Sequence, residues 1–141
     1  MHALLAHPVR IARLPLILLA LAAGSAASAQ PLPCSNATLK GTYLYNESGV
    51  LNGKPYAESG REVYDGQGGI VLSYRGSDGS GGVEKATYNV NPNCIGTATY
   101  ADGQKATSFI SADGSRFVYT ITAAPGGQPT ALSGSELRVA P

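Results

Sequence analysis

The amino-acid sequence predicts an all-β fold, an eight-stranded antiparallel meander that closes into a barrel. Short segments rich in Tyr, Val, Ile and Thr recur along residues 39–139, and Gly, Asp, Asn and Pro clusters separate them at almost regular spacing. No segment after residue 29 has the 3.6-residue apolar period of an amphipathic helix. A meander has two edge strands to protect, and closing the sheet into a barrel removes both edges. A two-sheet β-sandwich is the alternative.

Residues 1–29 have the features of a secretory signal peptide. Two arginines precede an apolar run at residues 14–23, and residues 27–29 (Ala-Ser-Ala) form a small-residue cleavage site. An apolar run this short favours cleavage over a permanent membrane helix. We therefore expect residues 30–141 to form a single β-barrel domain that is secreted or periplasmic in a bacterium, with no integral membrane segment after cleavage.

The strands are expected where β-branched and aromatic residues concentrate between turn signals. The predicted strands are 39–48, 56–64, 70–75, 83–90, 95–100, 105–111, 116–123 and 130–139. Glycine-containing connections such as 65–69 and 102–103 supply residues that tolerate positive φ, as tight hairpins require. In the last strand, Leu132 has the opposite parity to Leu137 and Val139, which predicts a bulge between them.

Cys34 and Cys94 are the two cysteines of the chain, and we expect them to form a disulfide. Two cysteines in an exported protein favour a cross-link over a metal site or a reactive thiol. The bond would join the segment before the first strand to the corner at residues 91–94.

The composition of residues 30–141 excludes several kinds of site. Both histidines, His2 and His7, lie in the predicted signal peptide, which excludes a Ser-His-Asp triad and the His-rich ligand sets of zinc and copper. We expect no metal and no cofactor. Eight Lys or Arg and nine Asp or Glu, without a run of like sign, give no indication of nucleic-acid binding. The sequence does not predict an oligomeric state.

Alternation along the strands places the tyrosines on the same face as the aliphatic residues, so the barrel interior should be rich in tyrosine. Each tyrosine offers a ligand an apolar ring and a hydroxyl group that orients a polar atom. The candidate ligand-lining tyrosines are Tyr43, Tyr45, Tyr64, Tyr74, Tyr88 and Tyr119. The alternative is that they are strand-forming core residues with their hydroxyls at the rim.

Three carboxylates, Glu58, Glu62 and Glu84, share the parity of these inward faces and are the other candidate ligand-binding residues. An inward carboxylate without a cation has a raised pKa, and it can act as a general acid or base or hold a cationic group. The alternative places all three in water at the barrel mouths. Glu58 and Glu62 should lie about 13 Å apart along one strand, too far for a glycosidase pair.

Three motifs carry a resemblance to known proteins: CSNATLKGTY at 34–43, YDGQG at 64–68 and YNVNPNCIGT at 88–97. In this order they resemble a group of small exported bacterial proteins to which no activity is assigned. The resemblance covers most of residues 30–141. It implies a calycin-like barrel, of the lipocalin or allene oxide cyclase kind, and it supplies no catalytic residue.

Three functions are compatible with this sequence. The leading one is an exported barrel that binds a small apolar or aromatic molecule in its tyrosine-rich interior. The second is a cofactor-free isomerase or cyclase of the allene-oxide-cyclase type, in which positioning supplies much of the rate enhancement. The third is a surface or structural protein with a filled barrel. A ligand-sized cavity would favour the first two over the third.

Overall fold

The computed structural model describes residues 33–141 and shows eight antiparallel strands in a closed barrel. The strands are β1 (Lys40–Leu51), β2 (Lys54–Asp65), β3 (Gly69–Gly76), β4 (Gly81–Val90), β5 (Ile95–Tyr100), β6 (Lys105–Ile110), β7 (Arg116–Ala123) and β8 (Thr130–Ala140). Each strand pairs with the next along the chain, and β8 pairs with β1. The predicted meander barrel is confirmed, and the β-sandwich alternative is wrong. The predicted signal peptide lies outside the described residues.

The first hairpin is longer than predicted. β1 and β2 pair without interruption up to Leu51 and Lys54, so that only Asn52 and Gly53 form the turn. Both turn residues have positive φ, 54° and 75°, which is the conformation that an Asn-Gly pair favours in two-residue hairpins. The Asn-Gly pair was the sequence signal for this longer hairpin.

The turns are divided between two ends of the barrel, because successive strands are antiparallel. The connections β1–β2, β3–β4, β5–β6 and β7–β8 lie at one end, which we call the open end. The other three connections lie with both chain ends of the barrel at the closed end. A short 3₁₀ turn at Asn36–Thr38 precedes β1 at this closed end. No helix in the described part of the chain has the length and apolarity to cross a membrane.

The segment before β1 seals the closed end. Cys34 forms the predicted disulfide with Cys94, with 5.0 Å between the Cα atoms. The Asn36 side chain accepts a hydrogen bond from the Val90 backbone N–H at 2.7 Å, and the Tyr88 hydroxyl donates to the Leu39 carbonyl at 2.7 Å. These contacts tie the segment to β4 and to the β4–β5 corner.

Aromatic rings fill the closed half of the barrel. Tyr64 packs edge-on against both Tyr43 and Tyr88, with ring centroids 5.1 Å apart in each pair, and Phe117 lies 5.6 Å from Tyr43. Arg138 donates from Nε to the Tyr43 hydroxyl at 2.9 Å, and the same hydroxyl donates to the Gly114 carbonyl. This half of the barrel is a packed core.

The bulge predicted between Leu132 and Leu137 is wrong. Burial along β8 alternates regularly, with Leu132 and Glu136 inside and Leu137 and Val139 exposed. The register of β8 against β1 shifts only at Val139, beyond this stretch. The apolar residues change parity along β8 because Glu136, and not an apolar residue, occupies the inward position next to Leu137.

Candidate functional site

The open half of the barrel contains a cavity of about 200 Å³. Turn residues from the β3–β4, β5–β6 and β7–β8 connections reach its entrance. Two sets of side chains dominate its wall. The lining tyrosines are Tyr45, Tyr56, Tyr74, Tyr100 and Tyr119, and the lining carboxylates are Glu47, Glu58, Glu62, Glu84, Asp78 and Asp102. No lysine or arginine of the described part of the chain lines this cavity.

The structure separates the candidate site residues into two groups. Six of them line the cavity: Tyr45, Glu58, Glu62, Tyr74, Glu84 and Tyr119. The other three, Tyr43, Tyr64 and Tyr88, belong to the packed aromatic core of the closed half. The same strand face supplies both groups, and position along the strand decides which residues meet the cavity.

Four tyrosines and glutamates of the interior were not among the predicted site residues: Glu47, Tyr56, Tyr100 and Glu136. Glu47 continues the inward face of Tyr45, and Tyr56 continues that of Glu58, so strand alternation was sufficient to find both. Glu136 has the parity of Leu132 and therefore faces inward, whereas the predicted bulge between Leu132 and Leu137 left its face undefined. Tyr100 lies on a short strand whose alternation is ambiguous in sequence.

Glu47 and Glu58 are directly opposite each other on β1 and β2, and both face the cavity. Like charges at directly opposed positions of an antiparallel pair repel, because their Cβ atoms lie only about 5 Å apart. The Glu58 carboxylate accepts hydrogen bonds from the Tyr45 hydroxyl at 2.6 Å and from the Tyr56 hydroxyl at 2.5 Å. These two tyrosines hold Glu58 in a defined orientation.

Glu47 lacks such support, although only 6% of it is exposed. The Tyr119 hydroxyl is near enough to lower the pKa of Glu47 but makes no hydrogen bond of standard geometry with it. Burial outweighs this effect and, together with the charge of Glu58, raises the pKa of Glu47 to about 7.

A second carboxyl pair lies at the floor of the cavity, where Glu62 lines the floor and Glu136 lies behind it, outside the cavity wall. Glu62 accepts a hydrogen bond from the Tyr64 hydroxyl at 2.5 Å and from the Tyr100 hydroxyl at 3.2 Å. The Tyr64 hydroxyl also lies 3.4 Å from Glu136, whose Oε2 atom is buried with no hydrogen-bond partner. Tyr64 therefore bridges the two carboxyl groups at the boundary between the cavity and the packed core.

The floor carboxyl groups resist ionisation. Burial raises the pKa of Glu62 to about 7, against the lowering effect of the hydrogen bonds from Tyr64 and Tyr100. Burial and the nearby charge of Glu62 raise the pKa of Glu136 well above its ordinary value. Since two buried carboxylates this close do not both ionise readily, the protonated form of Glu136 is favoured.

Two glycines leave space for tyrosine rings beside neighbouring strands. A Cβ atom at Gly60 would lie 2.6 Å from the Tyr45 ring, and one at Gly134 would lie 2.6 Å from the Tyr119 ring. Because glycine has no side chain, each ring has space beside the backbone at these positions. The rings consequently form the cavity wall instead of occupying its centre.

The aspartates at the open end have two roles. Asp78 accepts a hydrogen bond from the Ser80 N–H at 2.9 Å, and Asp102 accepts one from the Gln104 N–H at 2.8 Å, so both stabilise their own turns. Their charges also stand at the cavity entrance. Asp65 plays the turn-stabilising role at the closed end, where it accepts from three backbone N–H groups, those of residues 67–69.

The acidic groups are spread around the wall and do not converge on a point. Among residues 33–141, no three His, Cys, Asp or Glu side chains come close enough together to hold a metal ion. The arrangement suits a molecule that extends across the cavity, with hydroxyl and carboxyl groups available at several heights.

Comparisons with known proteins are sparse. No family model matches the sequence, and no curated protein matches it. Among solved structures, the chain is similar to one described as "Structure of EF1p2_mFAP2b bound to DFHBI", with 19% identity and a TM-score of 0.46. The similarity covers 72% of this chain and 94% of that chain.

Proposed function

We propose that this protein is an exported barrel that binds one small aromatic molecule in the cavity at its open end. The observation that carries the proposal is the uneven filling of the interior. Aromatic side chains pack the closed half, whereas the open half encloses about 200 Å³ beneath an entrance formed by turns. This unequal filling supports ligand binding over a filled barrel that acts only through its surface.

The size of the cavity limits the ligand to roughly one ring with a short substituent. A cavity of about 150 Å³ in another protein accommodates benzene. The lining tyrosines supply ring faces for stacking and edge-to-face contacts, and their hydroxyls orient a polar group. A single-ring compound with a polar end therefore matches both the volume and the chemistry of the wall.

Export is part of the same proposal. The Cys34–Cys94 disulfide supports it, because such bonds persist in oxidising compartments. In a secreted or periplasmic location the protein would meet small molecules from outside the cell.

One observation favours a second candidate function, a cofactor-free isomerase or cyclase. Glu47 and Glu62 both face the cavity with pKa values of about 7. A carboxyl group with a pKa near the working pH is suited to general acid or base catalysis. Turnover of a bound compound would distinguish this candidate from a binding protein.

Native mass spectrometry of the protein purified from its own cells or medium tests the proposal. The expected result is a mass above that of the polypeptide, with a single-ring compound released on solvent extraction. The same protein should show thermal shifts with some members of a panel of single-ring compounds. A ligand-free mass together with no shift from any member of the panel would overturn the proposal.

A further inference from the structure

We propose that the ligand is a protonated amine carried on a single aromatic ring, and that Glu47 and Glu58 together bind its ammonium group. This inference rests on the proposed function, since it concerns the same cavity. It adds the charge of the ligand and the residues that recognise that charge.

The first argument is the opposed carboxylate pair. Glu47 and Glu58 occupy directly paired positions of β1 and β2 and both point into the cavity. Their repulsion costs stability in the free protein, and within residues 33–141 no lysine or arginine of the cavity wall relieves it. A cation placed between the two carboxylates would convert the repulsion into two attractions.

The second argument is that Glu47 is buried but held less firmly than Glu58, with only the nearby Tyr119 hydroxyl beside it. Glu47 is 6% exposed as a residue and makes no hydrogen bond of standard geometry within residues 33–141, whereas Glu58 is held by two tyrosine hydroxyls. A carboxylate accepts up to about four hydrogen bonds, so Glu58 also retains acceptor sites. An ammonium group has three N–H donors, enough to satisfy both carboxylates at once.

The third argument concerns the kind of cation. The acidic side chains in residues 33–141 do not converge on a metal-sized point, as their arrangement around the cavity shows. Five tyrosine rings line the same cavity and offer the ring faces that attract organic cations. The wall therefore favours an aromatic amine over a metal ion.

Proton exchange should accompany amine binding. The ionisable groups that surround the pair are the lining tyrosines on β1, β2, β3, β5 and β7, together with Glu62, Glu84, Asp78, Asp102 and, behind the floor, Glu136 on β8. Burial raises the pKa of Glu47 and of Glu62, so the free cavity retains protons below about pH 7. A bound ammonium group favours the ionised carboxylates, and amine affinity should therefore rise as the pH increases from 5 to 8.

Isothermal titration calorimetry with three probes of similar size tests the inference. The probes are 2-phenylethylamine, 2-phenylethanol and phenylacetate, which carry positive, zero and negative charge on one ring. At pH 8 we expect the amine to bind at least tenfold more tightly than the alcohol, and phenylacetate not to bind. The affinity of the alcohol should not change with pH.

Two isosteric variants localise the effect. Glu47→Gln should weaken amine binding by about tenfold to a hundredfold, the range expected for a charge-assisted hydrogen bond, while leaving alcohol binding unchanged. Glu136→Gln removes a buried carboxyl group that does not line the cavity, and it should leave amine binding unchanged. Urea unfolding of both variants verifies that any loss is not caused by misfolding.

The outcomes separate the inference from the proposed function. Equal affinities for the amine and the alcohol, or an unchanged amine affinity in Glu47→Gln, would overturn the amine inference while leaving a ligand-binding barrel. Binding of none of the three probes at millimolar concentration would overturn the inference and count against the single-ring binding function as well.

Discussion

Glutamate side chains occupy much of the polar interior of this barrel. All five glutamates of the chain face the interior, and three of them, Glu47, Glu62 and Glu136, are almost fully buried. A buried carboxylate costs several kcal/mol unless it is paired or neutralised, and its pKa rises accordingly. Arg138 contacts Tyr43 at the closed end and does not line the cavity. The interior thus keeps protonated carboxyl groups near neutral pH.

Glu62→Gln should reduce the dependence of stability on pH. The folded-state pKa of Glu62 is about 7 against an ordinary value of 4.5. Its stabilising contribution is therefore fully present below pH 4.5 and is lost as the pH rises through 7. For a shift of this size the loss is on the order of 3 kcal/mol. Urea unfolding at pH 4.5 and pH 8 should show a smaller stability difference in the variant than in the native protein.

Glu84→Gln is the matched control for this experiment. Glu84 faces the same cavity but is more exposed, and burial raises its pKa less than that of Glu62. Its replacement should alter the pH dependence only slightly. An equal effect of the two replacements, or none in Glu62→Gln, would contradict the assignment of Glu62 as a buried proton-holding group.

At the scale of elements, the two ends of the barrel have different constructions. The segment before β1 covers the closed end and is held there by the disulfide, by Asn36 and by the Tyr88 hydroxyl. The open end has only turns, two of which are stabilised by their own aspartates. Because the closed end is sealed and only short turns cover the open end, the cavity lies next to solvent.

Cys34→Ser combined with Cys94→Ser should destabilise the protein without altering the cavity. The disulfide spans 60 residues, and a loop of that length predicts a loss of about 4 kcal/mol in the chain-entropy model. Urea unfolding of the native and double-variant proteins measures this loss. Probe binding below the unfolding transition should be unchanged, because the disulfide lies at the opposite end from the cavity.

The two single variants, Cys34→Ser and Cys94→Ser, provide the control for new contacts made by either serine. Each should lose about as much stability as the double variant, since either change removes the whole bond. A double variant as stable as the native protein would show that the remaining contacts of Asn36 and Tyr88 hold the segment without help.

At the scale of the whole molecule, the charged groups set an acidic optimum of stability. Exposed aspartates that accept hydrogen bonds in their turns have lowered pKa values, about 2 in the case of Asp113, and the hydrogen bonds are the cause. Their contribution is present above pH 3.8 and is lost as the pH falls through the folded-state pKa. The buried glutamates act in the opposite direction and lose stability as the pH rises.

The thermal midpoint should therefore be highest between about pH 4 and 5 and should fall toward pH 8. For a domain of this size a loss of 1 kcal/mol lowers the midpoint by about 4 to 8 °C, so the predicted fall is easily measured. Circular dichroism melts from pH 3 to 9 follow the whole curve. A midpoint that rises steadily up to pH 7 would contradict the raised glutamate pKa values.

Local sequence patterns determined most of the fold. Strand-forming segments and turn pairs predicted all eight strands and their meander order, and the two cysteines predicted their own bond. The first hairpin extends beyond its predicted bounds because Asn52 and Gly53 form its turn, and β8 lacks the predicted bulge because Glu136 takes an inward position. Strands and turns depend on residues within a few positions of one another, and two cysteines can pair in only one way. The signal peptide and export stay predictions from sequence.

Only the tertiary structure decided which inward residues meet a cavity. Tyr43 and Tyr45 are two residues apart on one face of β1, yet the first is packed in the core and the second lines the open half. The opposition of Glu47 and Glu58 likewise depends on the register of two strands. Alternation in sequence reports the face of a residue but not its height in the barrel or its partner across the sheet. Register and closure determine both, and with them the site.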